Sequence, residues 1–193
     1  MSKIIFIDGR NFLRKISFVL DPDKKQNFDF TRYDFNGLLD KVLTGISIDK
    51  KIFYLGKLLF HPETKQKSSA LIEKQRRLKS HLERQGFEVV IAGRVRGHIE
   101  KCPMGHEVLT FKEKGVDVRM AVDMITMASA GDLQLAIIAS SDSDLQPAIA
   151  ELRKNNVECI YLGFAHQSNK GLTFTTNKTI LIRDSEVKDF WRH

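Results

Sequence analysis

Short apolar runs alternate with longer amphipathic stretches along this chain. The apolar runs have no regular polar face, which is typical of strands that are buried on both sides. They lie at residues 3–7, 52–55, 87–92, 136–139, 157–162 and 178–183. Stretches with apolar residues at helical spacing separate most of them, and this alternation predicts helices on both faces of a parallel sheet. We therefore expect a three-layer α/β/α fold with a mainly parallel sheet of five or six strands, in the order 3-2-1-4-5.

Aspartates follow two of the predicted strands, at the point where each strand ends. The first strand runs into Asp8, with Asn11 three residues further on, and the fourth runs into Asp142 and Asp144. Ligands of open α/β sheets bind at the carboxyl ends of the strands. In the expected order the first and fourth strands are neighbours, so these acids should share one crevice. Carboxylates this close repel each other unless a cation lies between them, and Mg²⁺ and Mn²⁺ are the usual partners of oxygen ligands.

The helix before the fourth strand is expected to bring a further acid to the same edge of the sheet. Gly115 and Asp117 mark the beginning of this helix. Asp123 lies six residues after Asp117, or about 240° round the helix, so the two cannot point at one ion and Asp117 is preferred. Purely structural explanations also exist for these residues. Ser141 or Asp142 can cap the following helix, and the helix dipole favours an acid in the first turn, such as Asp117.

Composition and charge are consistent with one domain that binds a polyanion. The 193 residues are 42% hydrophobic, which suits a single domain with a core over residues 1–193. A net charge of +7 and a pI near 9.4 favour polyanionic partners, since a basic surface can hold a nucleic acid backbone while acids hold a metal. Neither a signal peptide nor a membrane span is expected. The two cysteines make no disulfide framework, which favours the reducing cytoplasm.

Residues 93–111 are the least regular part of the chain. Weak alternation on both sides of 103–105 predicts a two-stranded flap there. Its basic residues, Arg94 and Arg96 among them, are candidates for substrate contacts. The candidate zinc ligands in the flap are His98, Cys102 and His106. Their spacing matches no zinc motif, so whether this segment binds zinc stays open.

The long amphipathic stretch at residues 64–85 predicts a helix with many basic side chains. Its apolar residues fall on one face, and lysines and arginines occupy most of the remaining surface. Two interpretations are open for this basic surface. It is either an ordinary solvated helix face or a rim that meets a nucleic acid backbone.

Three motifs together resemble a known family. They are Asp8-Gly9-Arg10-Asn11, Lys114-Gly115-Val116-Asp117 followed by Asp123, and Ser141-Asp142-Ser143-Asp144. In this order and spacing, and over most of the chain, they resemble the NYN domain, in the LabA-like branch of the PIN-like nuclease superfamily. The resemblance implies a flavodoxin-like sheet and a metal-dependent ribonuclease, acting on RNA with Mg or Mn.

The resemblance also implies roles for individual residues. The metal-binding acids correspond to Asp8, Asp117, Asp142 and Asp144, with Asn11 as the polar residue beside the first of them. Further roles follow from the hydrolytic mechanism expected of such a site, and not from the resemblance. The residues expected to hold neighbouring phosphates are Arg10, Lys112 and Lys114. Ser141 and Ser143 are expected to orient the carboxylates, because no histidine lies nearby in sequence to activate a serine nucleophile.

Other functions remain open on the same residues. A binding module of this fold would hold RNA or a protein without cutting it, although four acids in one crevice argue against this. A haloacid-type phosphatase needs Asp-x-Asp directly after the first strand, whereas Asp8 is followed by Gly9 and Arg10. A Toprim nuclease needs a glutamate in the place of Asp8. The sequence does not say which RNA is cut, or whether the protein forms a homodimer or works with a regulatory partner.

Overall fold

The computed structural model describes residues 1–23, 28–59, 65–101 and 107–192, in backbone only at 65–67, 96–101 and 107–112. The strands in these ranges are β1 Ser2–Asp8, β2 Lys50–Leu58, β3 Glu88–Lys101, β4 Glu107–Lys114, β5 Leu133–Ala139, β6 Glu158–Phe164 and β7 Lys178–Ile182. The α-helices are α1 Gly9–Leu20, α2 Phe35–Val42, α3 Lys65–Arg84, α4 Val116–Ser129, α5 Gln146–Lys154, α6 Lys170–Thr175 and α7 Asp184–Asp189.

The described strands form one sheet in the order β4-β3-β2-β1-β5-β6-β7. All neighbours from β3 to β7 are parallel, and β4 is antiparallel to β3. The predicted α/β class with a mainly parallel sheet is therefore confirmed, and the parallel strands extend outward from β1 as expected. The prediction of five or six strands was wrong in detail. β3 does not end at Ala92 but continues to Lys101, and its open edge is paired by the additional strand β4.

The alternating side chains of β1 show why the central strands are apolar throughout. Ile5 and Ile7 point into one hydrophobic core, and Ile4 and Phe6 point into the other. Residues of α1, α2, α3 and α7 cover the first core, while α4, α5 and α6 cover the second. This is the predicted three-layer arrangement. In the described part of the chain, the helices lack the combination of length and hydrophobicity that spanning a membrane requires.

Helix α1 begins directly after β1, without an intervening loop. Asp8 caps the helix by accepting a hydrogen bond from the backbone N–H of Asn11. Gly9, the first helical residue, lies against β2. A side chain there would collide with the ring of Phe53 and the carbonyl of Tyr54. Because φ of Gly9 is not positive, close approach to β2 is what selects glycine here, rather than a special turn conformation.

Helix α4 follows β4 just as closely. The joint is Gly115, which has φ of 86° in the left-handed region that glycine adopts without strain. The chain thereby turns from the edge strand into the helix within one residue. The carboxyl end of β4 and the first turn of α4 thus lie side by side. They face the ends of β1 and β5 at the same edge of the sheet.

Candidate active site

A cleft of about 420 Å³ opens where β1 ends and α4 begins. The lining residues are Asp8, Arg10, Asn11, Arg14, Glu113, Lys114, Gly115, Val116, Asp117, Val118 and Asp142. Asp8 is buried, whereas Arg10, Arg14 and Lys114 are exposed. The cleft therefore has an acidic floor and a basic rim. The structure brings three of the four predicted metal-binding acids into one place.

Asp8 is held in place by two hydrogen bonds. Its Oδ1 accepts from the backbone N–H of Asn11 at 3.0 Å, and its Oδ2 accepts from the hydroxyl of Ser140 at 3.1 Å. Burial raises the pKa of Asp8, these two hydrogen bonds partly offset the rise, and the charges of Asp142 and Asp117 add to it. The three carboxylates thus share one electrostatic environment. Asn11 thus contacts Asp8 through its backbone, and the residue also lines the cleft.

The loop after β5 is ordered by its own polar groups. The backbone N–H of Asp142 donates to the hydroxyl of Ser140 at 3.2 Å, and that of Asp144 donates to Oδ1 of Asp142 at 3.0 Å. Ser140 therefore makes the contact with the carboxylate of Asp8 that was expected of its neighbours, while Ser141 is half-buried and Ser143 is exposed. Asp144 is also exposed and stands outside the lining of the cleft.

The two aspartates of α4 have different surroundings. Asp117 lies in the first turn and lines the cleft. Asp123 is engaged elsewhere, since its Oδ1 accepts from Nε of Arg119 at 2.8 Å and its Oδ2 accepts from the hydroxyl of Tyr54 at 3.1 Å. Burial raises the pKa of Tyr54, and the charge of Asp123 adds to the rise. Through this contact with Tyr54, Asp123 stabilises the packing of α4 against β2.

Glu113 is a cleft acid that sequence reasoning missed. It lies near the end of β4, where the N–H of Gly56 donates to its carboxylate. A side chain at position 56 would collide with that carboxylate, so the glycine makes room for it. Burial raises the pKa of Glu113, the charges of Asp8 and Asp117 add to the rise, and Arg10 and the Gly56 N–H lower it. The sequence did contain a signal for Glu113. It lies four residues before Asp117, on the other side of Gly115, which joins β4 to α4.

Arg14 is the second residue that was missed. It lines the cleft together with Arg10. The two arginines are four residues apart on α1, so they lie on one face of the helix, and this spacing was the signal. Among the predicted substrate contacts, Arg94 is exposed on β3, paired in register with Lys114 of β4. Two other predicted substrate contacts, Arg96 and Lys112, are described in backbone only, so their side chains lie outside the described part of the structure.

Comparison with known families decides what kind of domain this is. A profile of the NYN domain matches residues 3–182, which is nearly the whole chain. The chain belongs to the NYN domain family. The resemblance carried by the three sequence motifs is thereby confirmed, and the fold is of the PIN-like nuclease type. The match does not separate branches of the family, so the LabA-like assignment stays a prediction.

Among solved structures, one similar to this NYN domain is the crystal structure of a protein of unknown function from Vibrio parahaemolyticus. The two share 17% sequence identity with a TM-score of 0.59, over 94% of this chain and 93% of that chain. At this level of identity the likeness shows the fold alone. No curated protein sequence matches the chain.

The basic helix α3 of the NYN domain lies away from the cleft. Three of its described cations pair with nearby acids, in the ion pairs Arg76–Glu73 at 3.6 Å, Lys79–Glu83 at 3.6 Å and Arg77–Asp29 at 4.0 Å. None of the α3 side chains that the structure describes lines the cleft. These pairs favour the interpretation of a solvated helix face. The zinc question falls outside the described residues, because it concerns Cys102, His106 and the side chain of His98.

The described side chains of the NYN domain contain no group of three or more His, Cys, Asp or Glu that could hold a metal ion as they stand. The chemistry of the cleft nevertheless suits a hard cation, because its acids offer only carboxylate oxygens. The repulsion from Asp117 and Asp142 that raises the pKa of Asp8 is also what a bound cation would relieve. The donor set therefore fits Mg²⁺ or Mn²⁺.

Proposed function

We propose that residues 1–193 form one metal-dependent ribonuclease domain, which hydrolyses RNA phosphodiester bonds in the cleft beside β1, β5 and α4. A single observation carries the proposal: acids and cations line the same cleft. The acids are Asp8, Glu113, Asp117 and Asp142, and the cations are Arg10, Arg14 and Lys114. An acidic floor can hold a metal while a basic rim holds the phosphate chain, and a phosphodiesterase needs both.

The acids have distinct parts in this proposal. Asp8, Asp117 and Asp142 hold Mg²⁺ or Mn²⁺, and Asp144 supports them from outside the lining of the cleft. When bound, the ion would supply Lewis-acid stabilisation of charge on the phosphoryl oxygens and lower the pKa of the attacking water. Asp8 is kept in position by its two hydrogen bonds, so it forms the fixed side of the site. Asn11 is among the residues that line the cleft, and we assign its side-chain amide to donate to a phosphoryl oxygen.

The basic rim recognises the RNA backbone. Arg10 and Lys114 hold phosphates on either side of the scissile bond, because they flank the acids from α1 and from the end of β4. Arg94 is exposed and paired in register with Lys114, so it lies next to this rim. Arg96 and Lys112 form the pair two positions further out in the register of the hairpin. The net charge of +7 supports a polyanionic substrate. The NYN family points to RNA rather than to another polyanion.

Cleavage of a labelled single-stranded RNA with Mg²⁺, Mn²⁺ or EDTA tests the proposal. The wild type should cut with either metal and not in EDTA, and Asp142→Asn should lose about a hundredfold or more of the rate. Asp144→Asn tests the acid that lies outside the lining of the cleft. The matched control is Asp132→Asn, which removes an exposed carboxylate at the other end of β5. Equal cleavage by Asp142→Asn and the wild type would exclude this site.

Metal binding can be measured without activity. Saturating Mn²⁺ should raise the melting temperature of the wild type, because a ligand at about 100 times its Kd stabilises the folded state by about 2.7 kcal/mol. Asp8→Asn should remove most of this shift, whereas Asp132→Asn should keep it. A shift that survives in Asp8→Asn would place the ion elsewhere.

A second candidate function is a non-catalytic module that binds RNA or a protein on the same fold. The observation that favours it is the lack of a ready group of three metal-binding side chains among those described. This candidate predicts equal RNA binding with Mn²⁺ and with EDTA, and no cleavage with any metal. Metal-dependent cleavage that Asp142→Asn abolishes would rule it out.

A further inference from the structure

Helix α1 carries a stripe of exposed side chains that leads away from the cleft. Arg10, Arg14 and Phe18 follow one another at four-residue spacing, so they lie on one face of the helix. All three are exposed, and the side chain of Phe18 is 49% exposed. From Arg10 to Phe18 the helix rises about 12 Å. The stripe therefore connects the acidic cleft with a second place on the surface.

A hollow of about 430 Å³ lies at the far end of this stripe. It is lined by Arg14, Lys15, Phe18, Asp21, Phe28 and Gln167. The volume is within the range of about 300–1,000 Å³ that is usual for small-molecule sites. Arg14 lines both the hollow and the cleft, so the two places are neighbours on the surface. Two aromatic rings with two cations suit a flat, aromatic group that is linked to a phosphate.

One face of the Phe18 ring packs against another side chain. Its ring stacks on the ring of His166, with centroids 5.1 Å apart and an angle of 24° between the planes. Nδ1 of His166 lies 3.0 Å from a carboxylate oxygen of Asp184, which fixes the histidine in turn. An aromatic ring that is backed on one face and half exposed is a stacking platform for a base.

Lys15 adds a cation to the wall of the hollow. Its side chain is only 3% exposed, and its amine donates to the backbone oxygen of Gln167 at 3.0 Å and to Oε1 of the same residue at 2.7 Å. Both of these acceptors are uncharged. Burial lowers the pKa of Lys15, and the nearby charge of Arg14 lowers it further. Because both acceptors are neutral, they do not cancel the positive charge of Lys15. Arg14 and Lys15 therefore outnumber Asp21, the one acid named in the lining, which favours anionic or carbonyl oxygen atoms in the hollow.

We propose that this hollow binds a nucleobase of a single-stranded RNA whose backbone passes through the acidic cleft. Phe18 stacks on the base, Arg14 holds the phosphate between the two places, and Lys15 attracts an oxygen of the bound nucleotide. A duplex keeps its bases stacked inside, so the hollow selects single strands. This inference rests on the proposed function, because it takes the bound strand to be the one that the cleft cuts.

Binding of a fluorescent single-stranded RNA in EDTA tests the hollow separately from cleavage. Phe18→Ala should weaken binding about tenfold, because a stacked base loses its platform. Phe18→Trp should restore the affinity. Phe174→Ala is the matched control, since Phe174 is 84% exposed on α6 and lines neither the cleft nor the hollow. An RNA with abasic positions should bind the wild type as weakly as ordinary RNA binds Phe18→Ala.

The outcomes separate the hollow from the nuclease. Equal binding by the wild type and Phe18→Ala, equal binding of abasic RNA, or no RNA binding at all would overturn the hollow as a base site. Duplex RNA that binds as tightly as a single strand would also overturn it. If Phe18-dependent binding is found but neither Mg²⁺ nor Mn²⁺ gives cleavage, the hollow stands and the nuclease assignment fails.

Discussion

The hydroxyl of Ser140 donates a hydrogen bond of 3.1 Å to Oδ2 of Asp8 and thereby joins the ends of β1 and β5. The same oxygen accepts the backbone N–H of Asp142 at 3.2 Å. One buried hydroxyl thus fixes the position of two acids that come from different strands. Because it donates to the charged carboxylate of Asp8, it also keeps the pKa of that group lower than burial alone would set it.

Ser140→Ala should therefore change both stability and the pH dependence of cleavage. Loss of a buried hydrogen-bond donor costs about 1–3 kcal/mol, measured by urea unfolding. The pKa of Asp8 should rise further, so the variant should lose cleavage activity at a higher pH than the wild type when the solution is acidified. The exposed Ser143→Ala is the control and should leave both unchanged. Identical pH–rate profiles for Ser140→Ala and the wild type would show that the cleavage rate does not depend on the protonation of Asp8.

The two aspartates of α4 should separate activity from stability. Asp117→Asn should abolish cleavage with little effect on unfolding, because the residue lines the open cleft. Asp123→Ala should leave cleavage near that of the wild type and cost about 1–3 kcal/mol, since the buried hydroxyl of Tyr54 loses its partner. Rates with RNA and chemical unfolding of both variants give the comparison. The reverse pattern would mean that Asp123 is the acid of the site.

Glu113→Gln should stabilise the metal-free protein at neutral pH. The folded pKa of Glu113 is raised, so its carboxylate destabilises the fold above that pKa, and this effect disappears as the pH falls through it. Glutamine keeps an oxygen that can accept from the N–H of Gly56. The gain in melting temperature should be clear at about pH 8 and small at about pH 4.

Cleavage by Glu113→Gln should fall, because one of the four cleft acids is lost. Glu158→Gln, which changes an exposed acid on β6, is the control for melting temperature and rate. Thermal unfolding at the two pH values, without metal, measures the first effect. If Glu113→Gln melts at a lower temperature than the wild type at about pH 8, the buried carboxylate of Glu113 does not destabilise the fold.

Gly9→Ala should destabilise the protein through a collision. The added methyl group would meet the ring of Phe53 and the carbonyl of Tyr54, and overpacking of this kind costs about 1–3 kcal/mol. Gly131→Ala is a useful comparison, because φ there is 75° but no atom lies near the added group. Its cost is about 1 kcal/mol of backbone strain. A smaller loss for Gly9→Ala than for Gly131→Ala, by chemical unfolding, would contradict the close approach of α1 to β2.

The parts of the fold that could be predicted are those that local pattern determines. Ile4 to Ile7 are apolar in sequence because both faces of β1 are covered, and this marked the strand as central. Once β1 and β5 were recognised as neighbours, Asp8 and Asp142 had to meet at their carboxyl ends. The glycine before Asp117 likewise marked the start of α4. Each of these inferences needed only a short stretch of sequence and a general rule of α/β sheets.

The parts that were missed depend on register and on distant contacts. Ser140, rather than Ser141, faces Asp8 because β1 and β5 pair with Ile7 opposite Ala139, and no local pattern specifies that offset. Glu113 enters the site because β4 joins the sheet edge with this residue opposite Val95. Such pairings are decided by packing over the whole sheet, which a single sequence does not display.

The β3–β4 pair has a consequence for how this domain can diversify. Its pairing begins at the sheet with Arg94 opposite Lys114 and runs outward to Lys101 opposite Glu107. Antiparallel pairing repeats every two residues, so lengthening or shortening both strands at the outer end leaves the inner register intact. The positions of Glu113 and Asp117 therefore do not depend on the length of the hairpin. The outer end of the β3–β4 pair can therefore change in length, and so in its contacts with a substrate, while the acids at the cleft end keep their positions.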